Sequence, residues 1–203
     1  MLRQEAMTEV RKMMEAATTL KGIVYSAIST FNKDERYLIK NDLSERCICA
    51  RFAMHLTEAL KGTEYSDYLV DVEYNRGMDG HERAAKRIEN APITVDLIVH
   101  KRGIHCRWGF DNLICVEMKK TTDRRGYKDD EVRLMAMTDS AHGFHYKLGV
   151  MLAVDMVGNK LRIKSLITGG QIVQEYAPVM QRLKHCPSKK EPNKHLGVCE
   201  KHE

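Results

Sequence analysis

Ile93-Thr94-Val95-Asp96-Leu97-Ile98-Val99-His100 and Leu113-Ile114-Cys115-Val116-Glu117-Met118-Lys119-Lys120 are the two runs whose reading decides the fold. Each is short, rich in β-branched residues and bounded by polar or glycine-containing segments, which favours strands over helices. An Asp in one apolar strand and a Glu-x-Lys in the next call for an explanation. An unpaired carboxylate or ammonium taken out of water is strongly disfavoured, so ions at such depth need a partner or a metal.

If the runs pair as a hairpin with Asp96 opposite Glu117, the period of two sorts their side chains. Thr94, Asp96, Ile98 and His100 share a face with Leu113, Cys115, Glu117 and Lys119. Ile93, Val95, Leu97, Val99, Ile114, Val116 and Met118 fill the other face, with Lys120 at its end. Directly opposed residues lie roughly 4.5–5.5 Å apart, and Glu117 and Lys119 about 7 Å apart along their strand. In this register two carboxylates and one ammonium converge at one end of one face.

The chain has 203 residues, which suits one domain over residues 1–183 and a Lys- and Pro-rich tail over 184–203 expected to be weakly ordered. No run of about 18 uncharged apolar residues occurs, and the N-terminus has no secretory apolar region. The expectation is a cytoplasmic protein without a membrane partner. The six cysteines, Cys47, Cys49, Cys106, Cys115, Cys186 and Cys199, do not form a disulfide framework: Cys115 falls in an apolar strand and Cys47 and Cys49 in a helix. Reduced thiols are expected. A net charge of +5 permits a polyanionic partner without requiring one.

Working outward, residues 2–20 read as a helix with Met7, Val10, Met14 and Ala17 on one stripe. Residues 23–31 fit helix or strand, and 32–35 suit a turn. A second helix is expected from Asn41 or Asp42 to Leu60, stopped by Gly62 and anchored by Leu43, Ile48, Phe52, Leu56 and Leu60. Asp42-Leu43-Ser44-Glu45 fits a capping box, with Asp42 as N-cap and Glu45 at N3. Residues 68–74 alternate as a strand; 75–90 are charged and read as loop or short exposed helix. Residues 129–140 form a third helix with Val132, Leu134, Met135 and Met137, and 148–157 pairs with 161–167 across Gly158-Asn159, a hairpin signal. Residues 171–183 read as a short helix despite Pro178.

Helix, three strands, helix, strand, with additions at both ends, is an α/β arrangement around a mixed sheet. Asp96, about twenty residues, then Glu117-Met118-Lys119 on adjacent strands resembles the PD-(D/E)XK nuclease superfamily. Within it, Asp96-Leu97-Ile98-Val99-His100-Lys101-Arg102-Gly103 and Asn112-Leu113-Ile114-Cys115-Val116-Glu117-Met118-Lys119-Lys120 look like a group of bacterial and phage proteins. Leu43-Ser44-Glu45-Arg46, Glu73-Tyr74-Asn75-Arg76 and Tyr146-Lys147-Leu148-Gly149 are also similar to that group. The resemblance covers residues 42–154, and the Pro that often precedes the Asp is Val95 here. It implies a restriction-endonuclease-like αβββαβ core over about 42–167: a mixed central sheet flanked by helices, with an extra N-terminal helix and a C-terminal hairpin or helix.

Hydrolysing a phosphodiester requires a deprotonated water, neutralised charge at phosphorus and help for the leaving oxygen. Mg²⁺ or Mn²⁺ held by one or two carboxylates and waters supplies much of this. The resemblance makes Asp96, Glu117 and Lys119 the catalytic trio. Asp96, Glu117 and the Met118 carbonyl would hold the metal, and Glu45 would complete its shell unless the capping box claims it. Lys119 would position or deprotonate water and stabilise transition-state charge, titrating lower beside the metal. A salt bridge from Lys119 to one acid is the plain alternative. Lys120, Arg124, Arg125 and Lys128 suit phosphate contacts or a solvated loop. Trp108, beside Arg107, suits either stacking on a base or capping the core, and His100 either a supporting or a core role. His185, Cys186, His195, Cys199 and His202 offer donors for zinc but lack the C-x(2)-C half of a structural site.

The function implied is metal-dependent hydrolysis of nucleic acid, with DNA as partner, as an endonuclease in defence, repair or a mobile element. The resemblance leaves a homodimer open. The alternative is a catalytically silent nuclease-like fold that binds nucleic acid or a protein as a regulator or inhibitor; an RNA-cleaving toxin is a third reading. Keeping Asp96, Glu117 and Lys119 together favours the enzyme.

Overall fold

Leu20, Ile23, Val24, Ala27, Ile28 and Phe31 recur at steps of one, three and four, and all are buried, as one stripe of a helix should be. They belong to α1, a single helix over Leu2–Asp34. The structure is a computed structural model describing residues 2–74, 76–79, 82–85, 87–88, 91–102, 112–123, 126–142 and 144–176, without the side chains of 2–14 and 76–92. Where the sequence left 23–31 open and placed a turn at 32–35, the helix runs on through Gly22 to Asp34. Packing decides this: Phe31 meets Phe52 edge-on with ring centres 6.1 Å apart, and burial of that stripe outweighs the weak local preferences of its β-branched residues.

A short helix α2, Arg36–Lys40, leads to α3, Glu45–Leu60. The expected start near Asp42 is corrected. Asp42 lies outside the helix at φ 56°, and Ser44 caps it, its hydroxyl accepting the Cys47 N–H at 3.2 Å. Glu45 is therefore the first helical residue and cannot stand at N3 of a capping box. Ile48, Phe52, Leu56 and Leu60 are buried as expected, and Leu43 is half-buried.

β1, Leu69–Val72, is followed by two small antiparallel ladders, β2 (Arg76–Asp79) with β3 (Glu82–Ala85) and β4 (Arg87–Ile88) with β5 (Ala91–Pro92). The expected loop or helix over 75–90 is thus strand in part. Strands of two to four residues are too short for an apolar period that a sequence could display. β6 (Leu97–His100) and β7 (Asn112–Lys120) come next, then α4 (Tyr127–Thr138), β8 (Leu148–Asp155), β9 (Lys160–Thr168) and β10 (Gln171–Glu175).

One mixed sheet runs β1-β6-β7-β8-β9-β10. Its neighbours are antiparallel except β7 and β8, which are parallel and joined across α4. β10 replaces the helix expected over 171–183. Gly169 and Gly170 take φ of 55° and 74°, the left-handed pair that a two-residue hairpin turn needs and glycine permits. Residues 177–183 and the tail lie outside the described residues.

The sheet is covered on both faces. Leu97, Val99, Ile114, Val116 and Met118 pack with α1 and α3; Ile98, Cys115 and Met151 pack with Leu134 and Met137 of α4. Ile93 and Val95, expected on the first face, join the second cluster, because the chain before Leu97 is not strand and the period of two does not reach it. Among the described residues no helix is long and apolar enough to cross a membrane.

The β8–β9 hairpin forms where Gly158-Asn159 placed it, and Asp155 closes it. Asp155 is fully buried, accepts the Val157 and Gly158 N–H groups at 3.1 and 2.8 Å, and pairs with Arg162. Asp155→Ala orphans two N–H groups and a guanidinium. The expected loss is about 2–3 kcal/mol by urea denaturation; an unchanged midpoint would show that the turn holds without its carboxylate.

Candidate functional site

The site exists because β6 is short and β7 is long. Leu97, the first residue of β6, pairs with Val116, which sets Asp96 across from Glu117, the register supposed above for the hairpin. β7 continues to Lys120, so along its last residues the edge facing β6 has no strand to pair with. Carboxylates take the strand's place. Asp96 Oδ2 accepts the Met118 N–H at 2.7 Å, and Glu45 Oε1 accepts the Lys120 N–H at 2.6 Å. A strand residue's N–H and C=O point to the same side, so the Met118 carbonyl lies on that edge, between the two acids.

Asp96 is fixed from several elements. Its carbonyl accepts the Glu73 N–H at 3.0 Å and the Cys49 thiol at 3.5 Å. Burial, then the negative charges of Asp96, Glu117 and Glu73, push the Cys49 thiol up to about 12, which makes it a structural group rather than a nucleophile. Glu45 enters as the first residue of α3, so its predicted reach toward this point is met by geometry, while its capping role is not.

Glu117 is buried, with the Asp96 carboxyl beside it. Burial first, then the Asp96 charge, raise its carboxyl to about 9, against a smaller pull from Arg133. Burial also raises Asp96, opposed by the Met118 N–H and the Glu117 hydrogen bond. Burial and the Asp96 charge outweigh Arg133, so at neutral pH the proton sits on Glu117.

Lys119 reaches the N-terminus of α4. Its amine is 3.3 Å from Asp130 Oδ2 and close above Gly126, whose φ of 91° disfavours any side chain there. Burial lowers the Lys119 pKa, but Asp130, Glu45 and Asp96 outweigh it and leave it above the ordinary value. The downward shift expected beside a metal is therefore not the state of this metal-free arrangement. The Tyr127 hydroxyl donates to the Lys119 carbonyl at 3.0 Å and ties the end of β7 to α4.

Two residues of this site escaped the sequence reading. Asp130, buried on α4, binds Arg133 through Oδ1, and Arg133 Nε lies 2.6 Å from Glu117 Oε1. A signal was available: Asp130 stands four residues before Leu134 and seven before Met137, squarely in the buried stripe. Val132, expected in that stripe, is exposed.

The predicted phosphate-binding set is divided. Lys120 is held by Asp42, Nζ to Oδ1 at 2.7 Å, so it braces α3 against β7 rather than standing free. Lys128 is exposed on α4. Arg124, Arg125, Arg107, Trp108 and the tail donors His185, Cys186, His195, Cys199 and His202 lie outside the described residues. His100 is a satisfied core histidine, its Nε2 2.8 Å from Asp71 Oδ2.

The donor set suits a hard divalent ion. Glu117 Oε1 and Asp130 Oδ2 are buried oxygens met by the Arg133 and Lys119 cations without an aligned hydrogen bond, and Asp96, Glu117 and a backbone carbonyl are oxygen ligands of the kind Mg²⁺ and Mn²⁺ take. Among the described residues no group of three or more His, Cys, Asp or Glu side chains is gathered to hold a metal by itself; one or two carboxylates completed by waters are what Mg²⁺ ordinarily uses. Compared with models of known families, with curated proteins and with solved structures, the chain matches none of them.

Proposed function

We propose that this protein is a metal-dependent nuclease of the PD-(D/E)XK kind, an endonuclease that hydrolyses phosphodiester bonds in DNA. The observation that carries the reading is the meeting of the Asp96 and Glu117 carboxyls at the unpaired end of β7, where Asp96 takes the Met118 N–H, with the Lys119 ammonium beside Asp130 on the same face. The order α3, β1, β6, β7, α4, β8, three antiparallel strands and then a parallel one, supports it as the order of a restriction-endonuclease-like core.

Asp96, Glu117 and the Met118 carbonyl would hold Mg²⁺ or Mn²⁺, with Glu45 alongside. A bound divalent ion supplies Lewis-acid charge and lowers the pKa of water. Asp96 arrives oriented by the Met118 N–H. Glu117 would ligate the ion as its carboxylate, its proton released to solvent. Lys119, cationic at neutral pH and steadied by Asp130, donates to the attacking water or the phosphoryl oxygen and stabilises charge as it builds. A place in defence, repair or a mobile element belongs to the same proposal.

The test is incubation of plasmid, linear duplex, single strands and RNA with Mg²⁺, Mn²⁺ or EDTA, alongside Asp96→Asn. Cleavage of DNA that needs the ion and fails in the variant is expected. Retained binding without cleavage of any substrate would favour the silent, regulatory alternative. Lys128→Ala should weaken binding uniformly across sequences and reduce the slope of log affinity against log salt by about one; an unchanged slope would place Lys128 off the nucleic-acid path.

A further inference from the structure

We propose that Arg133 is a resident cation for the metal seat: it contacts the Glu117 carboxyl in the metal-free protein and is displaced from it when the divalent ion binds. The inference rests on the nuclease reading and adds a competitor to it. Three observations carry it. Arg133 Nε lies 2.6 Å from Glu117 Oε1, on the carboxyl proposed as a metal ligand. Both atoms are buried, yet neither makes an aligned hydrogen bond. The contact lacks good hydrogen-bond geometry, so an ion able to take that oxygen at coordination distance gives up little by replacing it. The guanidinium is also anchored elsewhere, through Nη2 on Asp130 Oδ1 one turn earlier on α4, and its side chain is 31 % exposed. It can therefore leave Glu117 without leaving the helix or becoming a buried unpaired charge.

Every charged group facing Arg133 fits the exchange. Glu117 and Asp130 attract it, while Lys119 sits on the other Asp130 oxygen. With Arg133 in place, a dication and a guanidinium would crowd one carboxylate, and repulsion between them favours departure. On leaving, the guanidinium stays beside the cleft where a phosphate would lie, a group its planar fork suits.

The experiment measures Mn²⁺ binding by electron paramagnetic resonance on full-length protein without nucleic acid. Wild type, Arg133→Ala, Arg133→Lys and Glu117→Gln are compared after circular dichroism has confirmed their folds. Arg133→Ala should bind Mn²⁺ about tenfold more tightly than wild type, with Arg133→Lys between them and Glu117→Gln much weaker. In the unaltered protein, dicarbonyl modification of Arg133, mapped by mass spectrometry, should speed up when Mg²⁺ is added; this arm stands even if the alanine variant does not fold. Equal or weaker affinity in the Arg133 variants, or modification indifferent to Mg²⁺, would overturn the role of Arg133 alone. No Mn²⁺ binding by wild type would overturn the nuclease reading beneath it.

Discussion

Glu117→Gln is expected to make the metal-free protein more stable and the enzyme inactive. Burial and the Asp96 charge raise the Glu117 carboxyl from an ordinary 4.5 to about 9. Between those values the folded chain holds a proton that the unfolded chain has released. Stability is therefore fully present below about pH 4.5 and is lost progressively as pH rises toward 9. Glutamine mimics the protonated acid, so it removes the penalty and should flatten the slope. At pH 8 the gain is roughly 1–3 kcal/mol, discounted from the full shift for relaxation around Asp96 and Arg133. For a chain of this length each kcal/mol moves the melting temperature by about 2–4 °C. The same change removes an anionic metal ligand, and cleavage should fall by roughly a thousandfold or more. Thermal melts in EDTA from pH 5 to 9, paired with plasmid cleavage, check both halves. A variant less stable than wild type at pH 8 would mean that Glu117 is charged and satisfied by Arg133 in the empty site, contrary to the protonated state described above.

Lys119→Met carries the second large effect. Lys119 is no metal ligand, so Mn²⁺ affinity should hold, while kcat falls by about a hundredfold to a thousandfold as a positioned cation is lost. KM should move little, because the group acts where charge develops and not on the bound substrate. Lys119→Arg should recover little. The guanidinium is longer and forked, and the space between Asp130 and Gly126 is shaped to a single amine. Single-turnover cleavage at saturating Mn²⁺ separates the outcomes. A raised KM with kcat intact would assign Lys119 to substrate binding, and loss of Mn²⁺ affinity would assign it to the metal shell. The fold itself should tolerate Lys119→Met, since Arg133 remains on Asp130.

Both predictions depend on groups that the sequence revealed to different degrees. Asp96, Glu117 and Lys119 were legible because each lies in or beside a strand with a clear period of two, and in that setting a charged residue on an apolar face stands out. The period alone leaves the register open: a slip of one residue would turn Glu117 toward α1 and α3, but a slip of two keeps every face, and the pairing of Leu97 with Val116 settles it. Glu45 was legible only as a choice. Its helix position decides between cap and site, and helix ends follow cap geometry at single-residue resolution: Ser44 displaced Asp42 by two positions. The strand β10 was misread as helix because its identity rests on the turn before it. Gly169 and Gly170 fold the chain back onto β9, and five residues with two apolar ones carry too little pattern to say so alone.

Residues 93–120, by their own periodicity, determined a buried strand pair and which face of it is apolar; that Asp96 and Glu117 stand opposite each other came only with the pairing of Leu97 and Val116. The tertiary structure decided what those charges meet. Asp130 and Arg133 reach the site because α4 crosses from β7 to β8 with its buried stripe against that face. Lys120 is taken up by Asp42 because the start of α3 abuts the end of β7. The physical reason for the division is range. Alternation and helical stripes are properties of adjacent residues along one chain segment, whereas the partner of a charge depends on which distant segments are packed together, and that is set by the burial of all of them at once.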